Sequence, residues 1–166
     1  MKKRSAAKTP KSPLESFTFL VEESLGKRLA RALVEQGLTA ITHVDNPDLP
    51  RGINDEQWAQ ETGEAGWVVL SKDLETRYKP NEREAIVRYK ARVIQFTRGN
   101  WTSDQMTAAF TLAKKRVEKL LNKQPGPFIA RISKKGEITR VFTELDLSGP
   151  APVAPDGSSG NPTDDA

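Results

Sequence analysis

A chain of 166 residues with net charge +4, no cysteine and one histidine has room for one domain and some tail. The absence of cysteine excludes disulfides, thiolate catalysis and zinc–thiolate sites, and the lone His43 excludes a multi-histidine zinc centre. The charge is largely terminal: Lys2, Lys3, Arg4, Lys8 and Lys11 lie in residues 1–13, and Asp156, Asp164 and Asp165 in residues 149–166. Setting those +5 and −3 aside leaves +2 for residues 14–148, a balance that permits a nucleic-acid ligand without demanding one.

Both termini are rich in Pro, Ser, Gly, Lys or Asp and lack apolar periodicity, so disordered tails are expected over 1–13 and 149–166, around a folded body of 14–148. No apolar stretch reaches the roughly 20 residues of a membrane span. The basic amino terminus has no apolar h-region, so a cytoplasmic protein is expected.

Within the body, Phe17 to Glu22 is an apolar run of strand length. Leu25, Leu29, Ala32 and Leu33 then recur at helical spacing, with Gly37 as the terminator. A second strand is predicted at about Ala40 to Val44, carrying His43 as a satisfied or edge-strand residue, and Asp45 to Gly52 is a proline-rich loop. Asn54-x-x-Gln57 has the form of a capping box and opens a helix through Trp58, Ala59, Thr62 and Ala65, which Gly66 closes. Trp67 to Ser71 is almost wholly apolar, as a strand buried on both faces requires. Asn81-x-x-Glu84 begins a short helix ending near Lys90, and Val93 to Phe96 is a fourth strand. Thr102-x-x-Gln105 caps the longest helix, striped by Met106, Phe110, Ala113, Val117, Leu120 and Leu121 and ending before Pro125. Phe128 to Ser133 and Glu137 to Phe142 alternate around Lys134-Lys135-Gly136 and are expected to form a β-hairpin appended to the rest. Strands alternating with helices predict an α/β sandwich with a mostly parallel central sheet.

If those strands are parallel, their trailing carboxylates gather at one sheet edge, where open α/β sheets bind ligands. Glu22 ends the first strand, Asp55 starts a helix and Asp73 follows the third strand. Acids from three separate segments can converge on one point, and their mutual repulsion calls for a cation, Mg²⁺ or Mn²⁺, which prefer oxygen ligands. Such ions serve phosphodiester hydrolysis by activating water and neutralising transition-state charge. Each acid also has an ordinary account: Glu22, Glu23 and Asp55 lie at helix starts, where negative charge is favoured by about 0.3–1 kcal/mol, and Asp73 follows a strand as a loop acid. Asp45 and Asp48 are weaker candidates, in a loop whose acids suit a solvated turn.

Phosphate needs cations nearby. Arg98 follows the fourth strand, and Arg51, Lys72, Arg77 and Lys79 lie in or beside loops on the same predicted edge. Arg98 is the leading phosphate contact, with a salt bridge to one of the acids as the alternative. Lys114, Lys115, Arg116, Lys119 and Lys123 fit a solvated helix face or a groove for RNA. Trp101 can stack on a base or staple the helix that follows it, while Trp58 and Trp67 suit the core.

Phe19-Leu20-Val21-Glu22-Glu23-Ser24-Leu25 resembles the strand-Asp-Glu-Asn-Leu opening of PIN-like proteins related to VapC-type toxins. Leu49-Pro50-Arg51-Gly52, Asp55-Glu56-x-Trp58 and Gly66-Trp67-Val68-Val69-Leu70-Ser71-Lys72-Asp73 are similar to the next blocks. Thr97-Arg98-Gly99-Asn100 and Pro127 to Ile132 resemble the carboxyl part of one subgroup, so the likeness runs from residue 17 to about 142.

The resemblance implies a PIN-like three-layer sandwich whose acids bind Mg²⁺ or Mn²⁺ and cleave RNA, often as a toxin silenced by a cognate antitoxin protein. It also implies pairing of two copies. Carried over by position, Glu22, Asp55 and Asp73 are the catalytic and metal-binding acids. Asn100 falls on an outer-shell position; from their place on the predicted edge, Glu23 and Asp45 are further outer-shell candidates and Arg98, Arg51 and Lys72 are candidates for contacting phosphate. Two positions depart from the pattern: Glu22 stands for the usual Asp and Ser24 for the usual Asn. Glutamate reaches one methylene farther, and catalysis is steeply sensitive to such displacement. A PIN-like domain with impaired chemistry, binding RNA or a protein partner, is therefore the alternative to an active endoribonuclease.

Overall fold

The structure, a computed structural model, describes residues 12–42, 55–72, 80–97 and 100–149. Six strands, β1 (Thr18–Val21), β2 (Thr39–Thr42), β3 (Val68–Ser71), β4 (Arg92–Phe96), β5 (Phe128–Ile132) and β6 (Ile138–Thr143), form one sheet in the order β2-β1-β3-β4-β5-β6. Every pairing from β2 to β5 is parallel, and β6 joins antiparallel at the edge. The terminal hairpin is thus no appendage. Phe128 to Ile132 extend the parallel sheet beside β4, because all five residues are buried and demand cover on both faces.

Among the described residues, five α-helices flank the sheet: α1 (Lys27–Glu35), α2 (Asp55–Ala65), α3 (Pro80–Tyr89), α4 (Ser103–Lys123) and α5 (Glu144–Ser148). Strand alternation divides the core in two. Phe19, Val21, Val68, Leu70, Ile94, Phe96, Phe128, Ala130 and Ile132 face α1 and α4, while Leu20, Val69, Val93 and Ile129 face α2, α3 and α5. Each such Val, Leu, Ile or Phe side chain, fully buried, contributes roughly 1.5–3 kcal/mol. In the first layer Phe19 and Phe110 meet edge to face, with centroids 5.4 Å apart.

The predicted ends of α1 and α4 are realised. Gly37, at φ +88°, follows the α1 C-cap, and its N–H bonds to the Val34 carbonyl at 2.9 Å. Thr102 and Gln105 exchange both bonds of a capping box at the start of α4. Trp101 belongs to the core rather than to a stacking surface: it is 8% exposed, packs on Phe96 and donates from Nε1 to the Thr97 carbonyl at 2.7 Å. Trp58 and Trp67 are partly buried against the second core layer.

From β3 the chain moves across the sheet through α3 to β4, then onward in the same direction through α4 to β5. α3 and α4 nevertheless lie on opposite faces. The β4–α4–β5 crossover therefore has the opposite hand to β3–α3–β4, against the general preference for one hand. The face carrying Leu20, Val69, Val93 and Ile129 is consequently left to α2, α3 and α5. No helix among the described residues is long and apolar enough to cross a membrane.

Candidate active site

The strand order reverses between β1 and β3, since β2 lies to one side and β4 to β6 to the other. In open α/β sheets the crevice outside the carboxyl ends of two such strands is the preferred ligand site. Glu22 leaves β1 at this point. Its amide donates to the Leu70 carbonyl at 3.0 Å, which continues the β1–β3 pairing by one residue. Its Oε1 accepts from Ser71 Oγ at 3.1 Å and from Ser24 Oγ at 3.0 Å. The two hydroxyls hold the carboxylate in one orientation.

Two residues along each strand from the apolar row Leu20, Val69, Val93 and Ile129 stand Glu22, Ser71, Gln95 and Arg131, on the same sheet face. Ser71 pairs in register with Gln95, and Gln95 with Arg131. A polar row thus crosses four strands at the carboxyl edge, with Ser71, Gln95 and Arg131 all at most 3% exposed and Glu22 half-buried.

α3 roofs this row. It runs antiparallel to the strands, because its last turn feeds β4 through Lys90 and Ala91. Ile86 is fully buried over the apolar row. Glu82, one helical turn earlier, is 4% exposed. A turn rises about 5.4 Å, and two strand residues about 6.6 Å. Glu82 therefore stacks over the polar row as Ile86 stacks over the apolar one. Its neighbour Arg83, equally buried, donates to the carbonyls of Asp146 and Gly149 at 2.7 and 3.2 Å and ties α3 to the end of α5. The Arg131 guanidinium lies 5.6 Å from the Phe142 ring centroid, and exposed Arg140 covers the same ring at 4.7 Å.

Of the other predicted site residues, Glu23 is exposed and opens a 3-10 turn, Glu23–Leu25, away from the row. Lys72 directly follows β3 and is half-buried. Asn100 is exposed, and its carbonyl accepts from Lys134 Nζ at 3.0 Å. Asp55 opens α2, whose next residue, Glu56, is held by Arg88 Nη1 at 2.8 Å and the Tyr89 hydroxyl at 3.2 Å in the last turn of α3. Asp73, Asp45, Arg51 and Arg98 lie outside the described residues, as does His43. Among the described residues no group of three His, Asp or Glu side chains is arranged to hold a metal.

Glu82, Ser71, Gln95 and Arg131 escaped the sequence reading. Glu82 reads as one more first-turn acid of a helix, and its burial depends on the helix's rotation. Gln95 and Arg131 carried the only available signal: polar residues inside runs otherwise apolar on both faces (Val93 to Phe96, Phe128 to Ile132), which a buried strand tolerates only with partners.

Residues 17–98 match a family model described as a PIN like domain. The match supports the PIN-like family for this stretch, which contains β1 through β4 together with Glu22 and Glu82. No curated protein and no solved structure gives a significant match.

Proposed function

We propose that this chain, whose residues 17–98 form a PIN-like domain of a nuclease-associated fold, is a divalent-metal-dependent endoribonuclease of the toxin type, with a cognate antitoxin as partner. The observation that carries the reading is the half-buried Glu22 carboxylate at the β1/β3 switch point, fixed by two serine hydroxyls. One buried serine and one surface serine orient it at the sheet edge.

The donors present suit Mg²⁺ or Mn²⁺: Glu22 and Glu82 are carboxylates on one layer, and Ser71 adds a hydroxyl oxygen. Glu22, Asp55 and Asp73 would hold the ion, with Glu82 beside them. Bound there, the ion supplies an activated water and charge neutralisation at the phosphate. The chain's own part is positional. Ser71 and Ser24 keep Glu22 Oε1 in place. Lys72 at the end of β3 and Arg98 beyond β4 are the groups assigned to the phosphate.

The alternative is a PIN-like domain that binds RNA or a protein without cutting. The serine contacts favour the active enzyme, because they are matched to glutamate and a shorter aspartate would lose them. The deciding assay is cleavage of total cellular RNA with Mg²⁺, Mn²⁺ or EDTA, comparing the parent with Glu22→Gln and Asp73→Asn. Metal-dependent cleavage lost in both folded variants is the expected result. Equal cleavage by parent and variants would mean the site is elsewhere. No cleavage by a folded parent would transfer the assignment to the binding domain.

A further inference from the structure

Among the described residues of the layer, Arg131 is buried to 2% exposure beside the buried Glu82 and the half-buried Glu22; Arg140, its register partner on β6, is exposed, and Arg83 is turned to the carbonyls at the end of α5. A guanidinium so deep in a sheet is strongly disfavoured unless opposite charge shares its environment. The π face of Phe142 supplies part of that compensation. Glu82 Oε1 and Arg131 Nε, both buried, leave room for charge to act between the two groups across the layer. Glu82, in the first turn of the helix between β3 and β4, stands over the strand pair next to β5, whereas Glu22 is three strands from Arg131, about 14 Å at the usual strand spacing. Ser71 and Gln95 fill the interval, in register on both sides.

We infer that Arg131 is the internal counter-cation of this layer, a positioning residue that allows the buried Glu82 carboxylate and, at longer range, the half-buried Glu22 to be held at this edge before any metal binds. Two acids on one layer without such a charge would repel, and the edge would open. With Arg131 in place the site is preformed. This role is distinct from that of a phosphate ligand, because Arg131 lies within the row at 2% exposure and does not reach the solvent side. It rests on the assignment of this layer as the site, but it can be read without catalysis.

The test is a double-mutant cycle on the metal-free full chain in EDTA, followed by thermal unfolding. Arg131→Met keeps length and apolar character while removing the charge. Its melting temperature is expected to fall by roughly 6–20 °C, the scale for stranding a buried charge in a domain of this size. Adding Glu82→Gln to Arg131→Met should recover at least half of that fall, because the stranded carboxylate is then gone. Arg131→Lys should lose less than Arg131→Met. If Arg131→Met yields no folded protein, the double variant must still fold. Additive losses, or a double variant no more stable or soluble than Arg131→Met, would overturn the inference. Unfolding in EDTA reports on the charge pair alone, so a failure of RNA cleavage would leave a positive cycle standing, and an additive cycle would leave the nuclease assay untouched.

Discussion

Gly63→Ala should separate α2 from α3 and reveal how tightly the site depends on their contact. A Cβ at position 63 would sit 2.1 Å from the Tyr89 carbonyl oxygen, 2.9 Å from its carbon and 3.0 Å from the Tyr89 Cβ. Ordinary contact begins at about 3.4 Å, so the helices must part by roughly 1.3 Å; no side-chain rotation relieves a clash with backbone. Overpacking of this kind costs about 1–3 kcal/mol, and the backbone clash argues for the upper end. Alanine returns about 1 kcal/mol of helix propensity. The net loss of about 2 kcal/mol corresponds to a fall in melting temperature of roughly 4–8 °C. α2 carries Asp55 at its start, so a displacement near 1 Å would reduce RNA cleavage by up to about 100-fold if Asp55 is catalytic. The assay is calorimetry together with RNA cleavage in Mg²⁺. A melting temperature equal to or above the parent's would refute the packing argument, since it would mean the propensity gain met no clash.

Glu22→Asp should lower RNA cleavage rather than raise it, because the shorter acid cannot keep the Ser71 and Ser24 bonds at 3.1 and 3.0 Å; a gain in cleavage would instead favour the impaired-enzyme reading. Ser71→Ala removes a bond to a charged group and should cost about 1.5–3 kcal/mol in urea unfolding, with reduced cleavage; Ser71→Thr, which keeps the hydroxyl, should cost less, and equal losses would argue against the bond. Thr102→Ala deletes one half of the α4 capping box and should destabilise by about 1 kcal/mol with RNA cleavage unchanged, and a larger kinetic effect would tie the Thr97–Thr102 connection to the site. Phe110→Ala empties a fully buried position against Phe19 and should cost about 3–5 kcal/mol by the same unfolding assay.

How far the sequence can be read follows from where each signal resides. Strands whose apolar runs are nearly continuous, such as Val68 to Ser71, announce burial on both faces, and that pattern placed them in a parallel sheet. Caps at Thr102 and Gly37 are local hydrogen-bonding and φ requirements, so a few neighbouring residues suffice to show them. The hairpin was read correctly as two strands around Gly136, yet its attachment was not legible. Pairing of β5 with β4 joins residues about 36 apart in the chain, and no local pattern records it.

The site divides along the same line. Glu22 was visible because a carboxylate ending an apolar run is a sequence feature, and the element order already put that end at a sheet edge. Glu82 was not, because an acid in a helix's first turn is ordinary; only its stacking one turn beyond Ile86 makes it part of a buried layer. Arg131 and Gln95 joined the same layer through strand register, a property of pairs of segments. The sequence by itself determined the alternation of strands and helices, their caps and the sheet-edge position of Glu22, since periodicity and capping act over a few residues. The tertiary structure decided the strand order, the crossing of α4 to the opposite face and the polar row from Glu22 to Arg131, since these arise from contacts between segments distant in the chain.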